Sequence, residues 1–183
     1  MLDELKNALP DYAKDLKLNL SSVLTAPGLT DSQIWGTALA TAVASRNPRV
    51  IEAVAREAEQ RLSPENVRAA KGAAAIMGMN NIYYRFTHSV TAKDYATMRT
   101  GLRMNIIAQH GVSAVDFELW CLAVSAVNGC GACMDSHERV VVEKGLGREG
   151  VQAAVKISAV IHAVAVTLEA EEALAHVARA EAA

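Results

Sequence analysis

Ser113-Ala114-Val115-Asp116-Phe117-Glu118-Leu119-Trp120-Cys121-Leu122-Ala123-Val124-Ser125-Ala126-Val127-Asn128 is the stretch whose period decides the fold. Phe117, Trp120, Val124 and Val127 recur at three- and four-residue spacing, the mark of a helix that buries one stripe. Ser113 is placed to cap its N-terminus, and Glu118 lies beside the stripe rather than in it. Directly after it, Gly129-Cys130-Gly131-Ala132-Cys133 reads as the start of a second helix, which Gly145 stops after Lys144.

Outward from this pair the same signals repeat. Pro10, Pro48 and Pro64 suit the first position of a helix, where a missing N–H does no harm. Asn47 and Ser63 are N-caps for two of these, and Thr30 or Asp31 opens a helix that runs to about Ser45. The spacing predicts helices over 2–8, 10–22, 31–46, 48–61, 64–80, 92–98, 101–108, 113–128, 131–144, 148–158 and 160–180. No segment alternates as a strand does. Apolar residues form 51% of the chain but aromatics only 4%, which favours close-packed helices over sheets rich in aromatic and β-branched side chains. The expectation is an all-α helical bundle, one domain over residues 1–183, with short connections between neighbouring helices.

Eighteen basic and twenty acidic residues nearly cancel, and no long run of one sign occurs, so the chain carries no footprint for nucleic acid or an anionic membrane. The apolar stretches Ala73–Met79 and Ile157–Leu168 are interrupted by Gly, Asn, Ser and His before reaching the length of a span. The first residues lack the layout of a signal peptide. A cytoplasmic location is therefore expected. Three cysteines, two of them close together, point in a reducing compartment to redox chemistry or metal binding rather than to a disulfide scaffold.

Cys130 and Cys133 are separated by two small residues at a helix start, where free N–H groups and the helix dipole stabilise a thiolate. His137 follows Cys133 by four residues and so shares its face of the helix, in place for a general base. Two buried structural thiols, or a zinc site of two thiolates and one imidazole, remain open as alternatives. His88, His110, His162 and His176 are scattered, and His162 reads as core. Cys121 reads as a small buried hydrophobe. Met77-Gly78-Met79-Asn80-Asn81 reads as core packing followed by a helix end, and Lys93, Arg99 and Arg103 as a solvated basic face.

Glu118, eleven residues, Cys-x-x-Cys, three residues and His137 together resemble the signature of the carboxymuconolactone decarboxylase-like superfamily. Further segments are similar to the alkyl hydroperoxide reductase D family. They are Leu16-Lys17-Leu18-Asn19-Leu20-Ser21-Ser22, Trp35-Gly36-Thr37, Arg46-Asn47-Pro48, Gly72 to Asn81, Gly101 to Ala108 and Phe117-Glu118-Leu119-Trp120. The resemblance implies an all-α homotrimer in antioxidant defence. It implies electrons taken from dihydrolipoamide on a lipoylated acyltransferase and passed to a peroxiredoxin of the alkyl hydroperoxide reductase C type, with weak peroxidase activity of its own and no bound cofactor or metal. By position, Cys130 and Cys133 match the family's redox pair, and Glu118 and His137 its proton relay, with Cys133 attacking and Cys130 resolving. Some relatives carry a histidine inside the CxxC where this chain has Ala132, which predicts a relay that leans on His137 and Glu118 and a higher thiol pKa. The competing expectations are a carboxymuconolactone decarboxylase-like enzyme, in which the dithiol has no evident role, and a non-enzymatic zinc-binding or adaptor module.

Overall fold

The computed structural model describes residues 2–181; Met1, Ala182 and Ala183 of the expected domain lie outside the described residues. The order is α1 (Leu2–Ala8), a 3-10 turn (Asp11–Ala13), α2 (Lys14–Val23), α3 (Asp31–Ser45), α4 (Pro48–Glu59), α5 (Pro64–Ser89), a 3-10 turn (Lys93–Ala96), α6 (Asn105–Ala108), α7 (Ala114–Val127), α8 (Gly131–Glu143) and α9 (Arg148–Glu181). No strand occurs among the described residues, and the fold is all-α as expected.

The helix starts follow local chemistry. Thr30 and Gln33 form a reciprocal capping box at α3, with Thr30 Oγ1 accepting from the Gln33 N–H and Gln33 Oε1 accepting from the Thr30 N–H. Asn47 Oδ1 accepts from the N–H groups of Arg49 and Val50 at α4, and Ser63 Oγ from the Asn66 N–H at α5. Ser113 occupies the cap position of α7 without a side-chain hydrogen bond. Pro10 stands just before a 3-10 turn rather than inside a helix, so the helix expected from residue 10 begins as that turn and becomes α-helical at Lys14.

α3 is the axis of the bundle. It is buried continuously from Ile34 to Ala42, on every side, and packs against α4, α5, α7 and α9. With α7 it interlocks through a glycine notch. A Cβ on Gly36 would overlap the indole of Trp120, so the absent side chain is the notch that receives the ring. Polar clamps fix the N-terminal ends of the same helices: buried Asp116 of α7 accepts from Ser32 Oγ and Gln33 Nε2 of α3, both at 3.0 Å, and Asn66 of α5 donates to Ser32 Oγ. A smaller apolar cluster of Leu119, Leu122, Val141 and Ala154 joins α7 to α8 and α9.

Five other expected helices are corrected. α5 does not end at residue 80 but continues to Ser89, because the Asn81 side chain finds partners on α7 and does not compete for its own backbone. The helices expected at 92–98 and 101–108 shrink to the four-residue 3-10 turn and the single turn of α6, in a stretch with few buried side chains to hold longer helices. The helices expected at 148–158 and 160–180 are one helix, α9: Ser158 Oγ donates to the Ala154 carbonyl within it, and Ala154, Ile157, Ile161, Val164, Ala165 and Leu168 continue one buried stripe across the expected break. By length and composition the Arg148–Val177 part of α9 is apolar enough to cross a membrane, and half of its most apolar window is buried in the bundle.

Gly36→Ala places a methyl group in the Trp120 ring with nowhere for a rigid indole to go. Overpacking of this kind lowers stability by about 3 kcal/mol. Urea unfolding monitored by circular dichroism checks this, and a change below about 0.5 kcal/mol counts against the notch.

Candidate active site

The C-terminal end of α7 turns the chain into α8 by a glycine-dependent motif. Gly129 adopts φ +67°, its N–H donates to the Ala126 carbonyl, and the Cys130 N–H donates to the Ser125 carbonyl. Cys130 is thereby both the residue that closes α7 and the cap position of α8. The turn is held from α5: Arg85 Nη1 donates to the Asn128 carbonyl at 2.6 Å, Asn128 Nδ2 to Asn81 Oδ1 at 2.9 Å, and Asn81 Nδ2 to Ser125 Oγ at 2.8 Å. The same pattern recurs at the far end of α8, where Gly145 takes φ +96° as expected for the stop after Lys144.

Cys130 and Cys133 are joined in a disulfide across the first turn of α8, with Cα atoms 5.3 Å apart. Their exposures differ in consequence: Cys130 is fully buried, whereas Cys133 contributes to the wall of a cavity of about 440 Å³. The N–H groups of Gly131, Ala132 and Cys133 have no intrahelical acceptor, the first bond of α8 being Met134 N–H to the Cys130 carbonyl. A thiolate formed here sits at the positive end of the helix.

His137, one turn beyond Cys133, lines the same cavity with Glu118 of α7. Its Nδ1 lies 2.6 Å from Glu118 Oε2, and both side chains are largely buried. An ionised carboxylate only accepts, so this contact puts a proton on Nδ1 and turns Nε2 away from Glu118. Nε2 meets the thioether of Met77 at 3.3 Å. The structure thus brings Cys130, Cys133, His137 and Glu118 into one site.

Other walls of the cavity were not legible as site residues. Met77, Asn80, Tyr84 and His88 follow one another along a face of α5, and Met104 and Ile107 line the cavity as well. The spacing of three, four and four was present in the sequence, but the expected end of α5 near Asn80 cut it in two. Of the other residues considered, Cys121 is buried as expected, while His162 is half-buried and pairs with Ser45 Oγ through Nδ1 at 3.2 Å. Lys93, Arg99 and Arg103 are exposed.

A sequence model of the carboxymuconolactone decarboxylase family matches residues 93–176, which contain the whole of α7 and α8. Proteins named alkyl hydroperoxide reductase AhpD in Streptomyces griseus and Streptomyces coelicolor are each 58% identical over 174 residues, 95% of this chain and 98% of theirs. The chain belongs to the AhpD family. A more distant AhpD, from Solibacter usitatus, is 54% identical and also aligns over 93% of this chain. The likeness to AhpD proteins therefore takes in α3–α5 as well as the segment that carries the disulfide, so the α5 wall of the cavity falls within it.

Burial pushes the Cys121 thiol well up, and the charge of Glu118 pushes it in the same direction. In the reduced native protein at about pH 8, iodoacetamide should modify Cys133 and leave Cys121 untouched, whereas in urea all three thiols react. Peptide mapping after labelling checks this; equal labelling of Cys121 and Cys133 in the native state contradicts the burial.

Proposed function

We propose that this protein is a peroxide-defence thiol-disulfide oxidoreductase in which Cys133 is the attacking thiol and Cys130 the resolving one. The observation that carries the proposal is the inequality of the two sulfurs: Cys133 meets the cavity that holds His137 and Glu118, and Cys130 lies behind it. His137 Nε2 removes the thiol proton, and Glu118 holds the imidazolium that results. Attack of the Cys133 thiolate on a hydroperoxide, or on the disulfide of a partner, is followed by attack of Cys130 on Cys133, which closes the internal disulfide and releases the reduced product.

The electron donor proposed is dihydrolipoamide carried by a lipoylated acyltransferase. Its two thiols open Cys130–Cys133 by exchange and leave as the cyclic disulfide. The electron acceptor proposed is a peroxiredoxin of the alkyl hydroperoxide reductase C type, with slow direct reduction of alkyl hydroperoxides as a side activity. AhpD membership supports both, and a cytoplasmic setting suits a dithiol that must be reduced again after each turnover. The working form proposed is a homotrimer. Exposed Ile82 and Phe86 on α5 supply apolar surface for self-association.

Anaerobic reduction of the oxidised protein by dihydrolipoamide, followed by coupling to a peroxiredoxin and an organic hydroperoxide, tests the cycle. Wild type should accept two electrons and sustain turnover, Cys133→Ser should do neither, and Cys130→Ser should trap a mixed disulfide on Cys133. Adduct on Cys130 instead, in the Cys133→Ser protein, reverses the assigned roles. Glu118→Gln should retain the disulfide but lower the rate roughly 10- to 100-fold, with the loss greatest below the thiol pKa; an unchanged pH–rate profile removes Glu118 from the relay.

A further inference from the structure

Of the polar groups in the cavity wall that the disulfide and its proton relay leave unused, Asn80 stands out as buried and without a partner. Asn80 is only 4% exposed, it lines the cavity, and its Oδ1 has no hydrogen-bond partner. Its neighbour Asn81 differs sharply, since both ends of that amide are bonded to α7 and the turn beyond it. A buried acceptor without a donor destabilises the fold, and leucine would fill the same volume without that penalty. The position of Asn80 is accounted for if a molecule entering the cavity brings the donor.

We infer that Asn80 binds the hydroperoxide group of the substrate, its Oδ1 accepting from the O–H of ROOH and holding the terminal oxygen toward Cys133. The inference rests on the peroxide-reducing reading above. A disulfide has no hydrogen to give an amide oxygen, whereas a hydroperoxide does. The alkyl part then lies against Met104, Ile107 and Val140. In the step itself the Cys133 sulfur forms a bond to the terminal oxygen and loses two electrons while the O–O bond breaks. The alkoxide leaves and takes up the proton that His137 removed from the thiol. The hydrogen on the transferred oxygen stays in place, so the bond to Asn80 persists into the Cys133 sulfenic acid, which Cys130 then converts to the disulfide with release of water.

The test uses the full-length reduced protein and three thiol oxidants: tert-butyl hydroperoxide, cumene hydroperoxide and methyl methanethiosulfonate, which has neither an O–H nor an N–H. Asn80→Leu should lose about tenfold in rate with both hydroperoxides and stay within about twofold of wild type with the thiosulfonate. Asn80→Thr, which retains an acceptor oxygen, should recover part of the loss and serves also if the leucine variant does not fold. Unchanged hydroperoxide rates overturn the inference, and so does an equal fall with all three reagents, which would mean that Asn80 only shapes the thiol. If wild-type thiols react with the thiosulfonate and with neither hydroperoxide, the peroxidase side activity falls and Asn80 loses its role with it. If wild type consumes both hydroperoxides and the Asn80 variants match it, only the role of Asn80 falls.

Discussion

The close approach of α7 to α3 governs the position of every group in the site. Trp120 reaches α3 because Gly36 offers no Cβ, and the buried Asp116 clamp holds the N-terminal end of α7 at the same time. With its tilt and rotation fixed, α7 presents Glu118 on the face turned toward α8 and delivers Cys130 at its end. A shift of α7 by a fraction of an ångström would be felt at both places, since a tightly packed interior transmits displacement rather than absorbing it. The apolar core is therefore part of the redox chemistry in a mechanical sense.

The second dependence runs through the Gly129 turn. It converts the end of one helix into the start of the next within two residues, so the carbonyls of α7 are satisfied while the first N–H groups of α8 are left open beside the sulfurs. Arg85 and Asn81 brace this corner from α5 through the Asn128 carbonyl and side chain. The brace and the cavity wall belong to the same helix: successive residues Asn80 and Asn81 point one amide into the cavity and the other into the scaffold. Neighbouring identical residues thus serve a ligand-facing and a structural role because a helix rotates by about 100° per residue.

Local chemistry made much of this visible in advance. The caps at Thr30, Asn47 and Ser63, the Gly145 stop and the buried stripe through Phe117, Trp120 and Val124 follow from hydrogen-bonding groups and periodicity within a few residues. The i, i+4 relation of Cys133 and His137 is equally local. What escaped depends on partners distant in sequence. Asn80 and Asn81 look like a helix end until Ser125 and Asn128, 44 and 47 residues on, are seen to bond both ends of the Asn81 amide. Ser158 and His162 look like interruptions until α9 is seen to bury one continuous stripe. Glu118 was reached through family resemblance rather than period, because its partner His137 lies on another helix 19 residues on. Spacing alone favoured a redox pair without excluding a zinc site, and the closed Cys130–Cys133 bond came only with the structure.

The two sides of the cavity differ in how they are built, and this has a consequence for how such a protein can diverge. Within 128–137 the spacing is committed: one inserted residue between Cys133 and His137 rotates the imidazole by about 100° away from the sulfur and from Glu118. Met104 and Ile107, by contrast, sit on the mostly exposed, irregular stretch between α5 and α7, the kind of segment that tolerates change better than a helix. Changes in that stretch alter which molecules fit the cavity without disturbing the spacing of Cys130, Cys133 and His137.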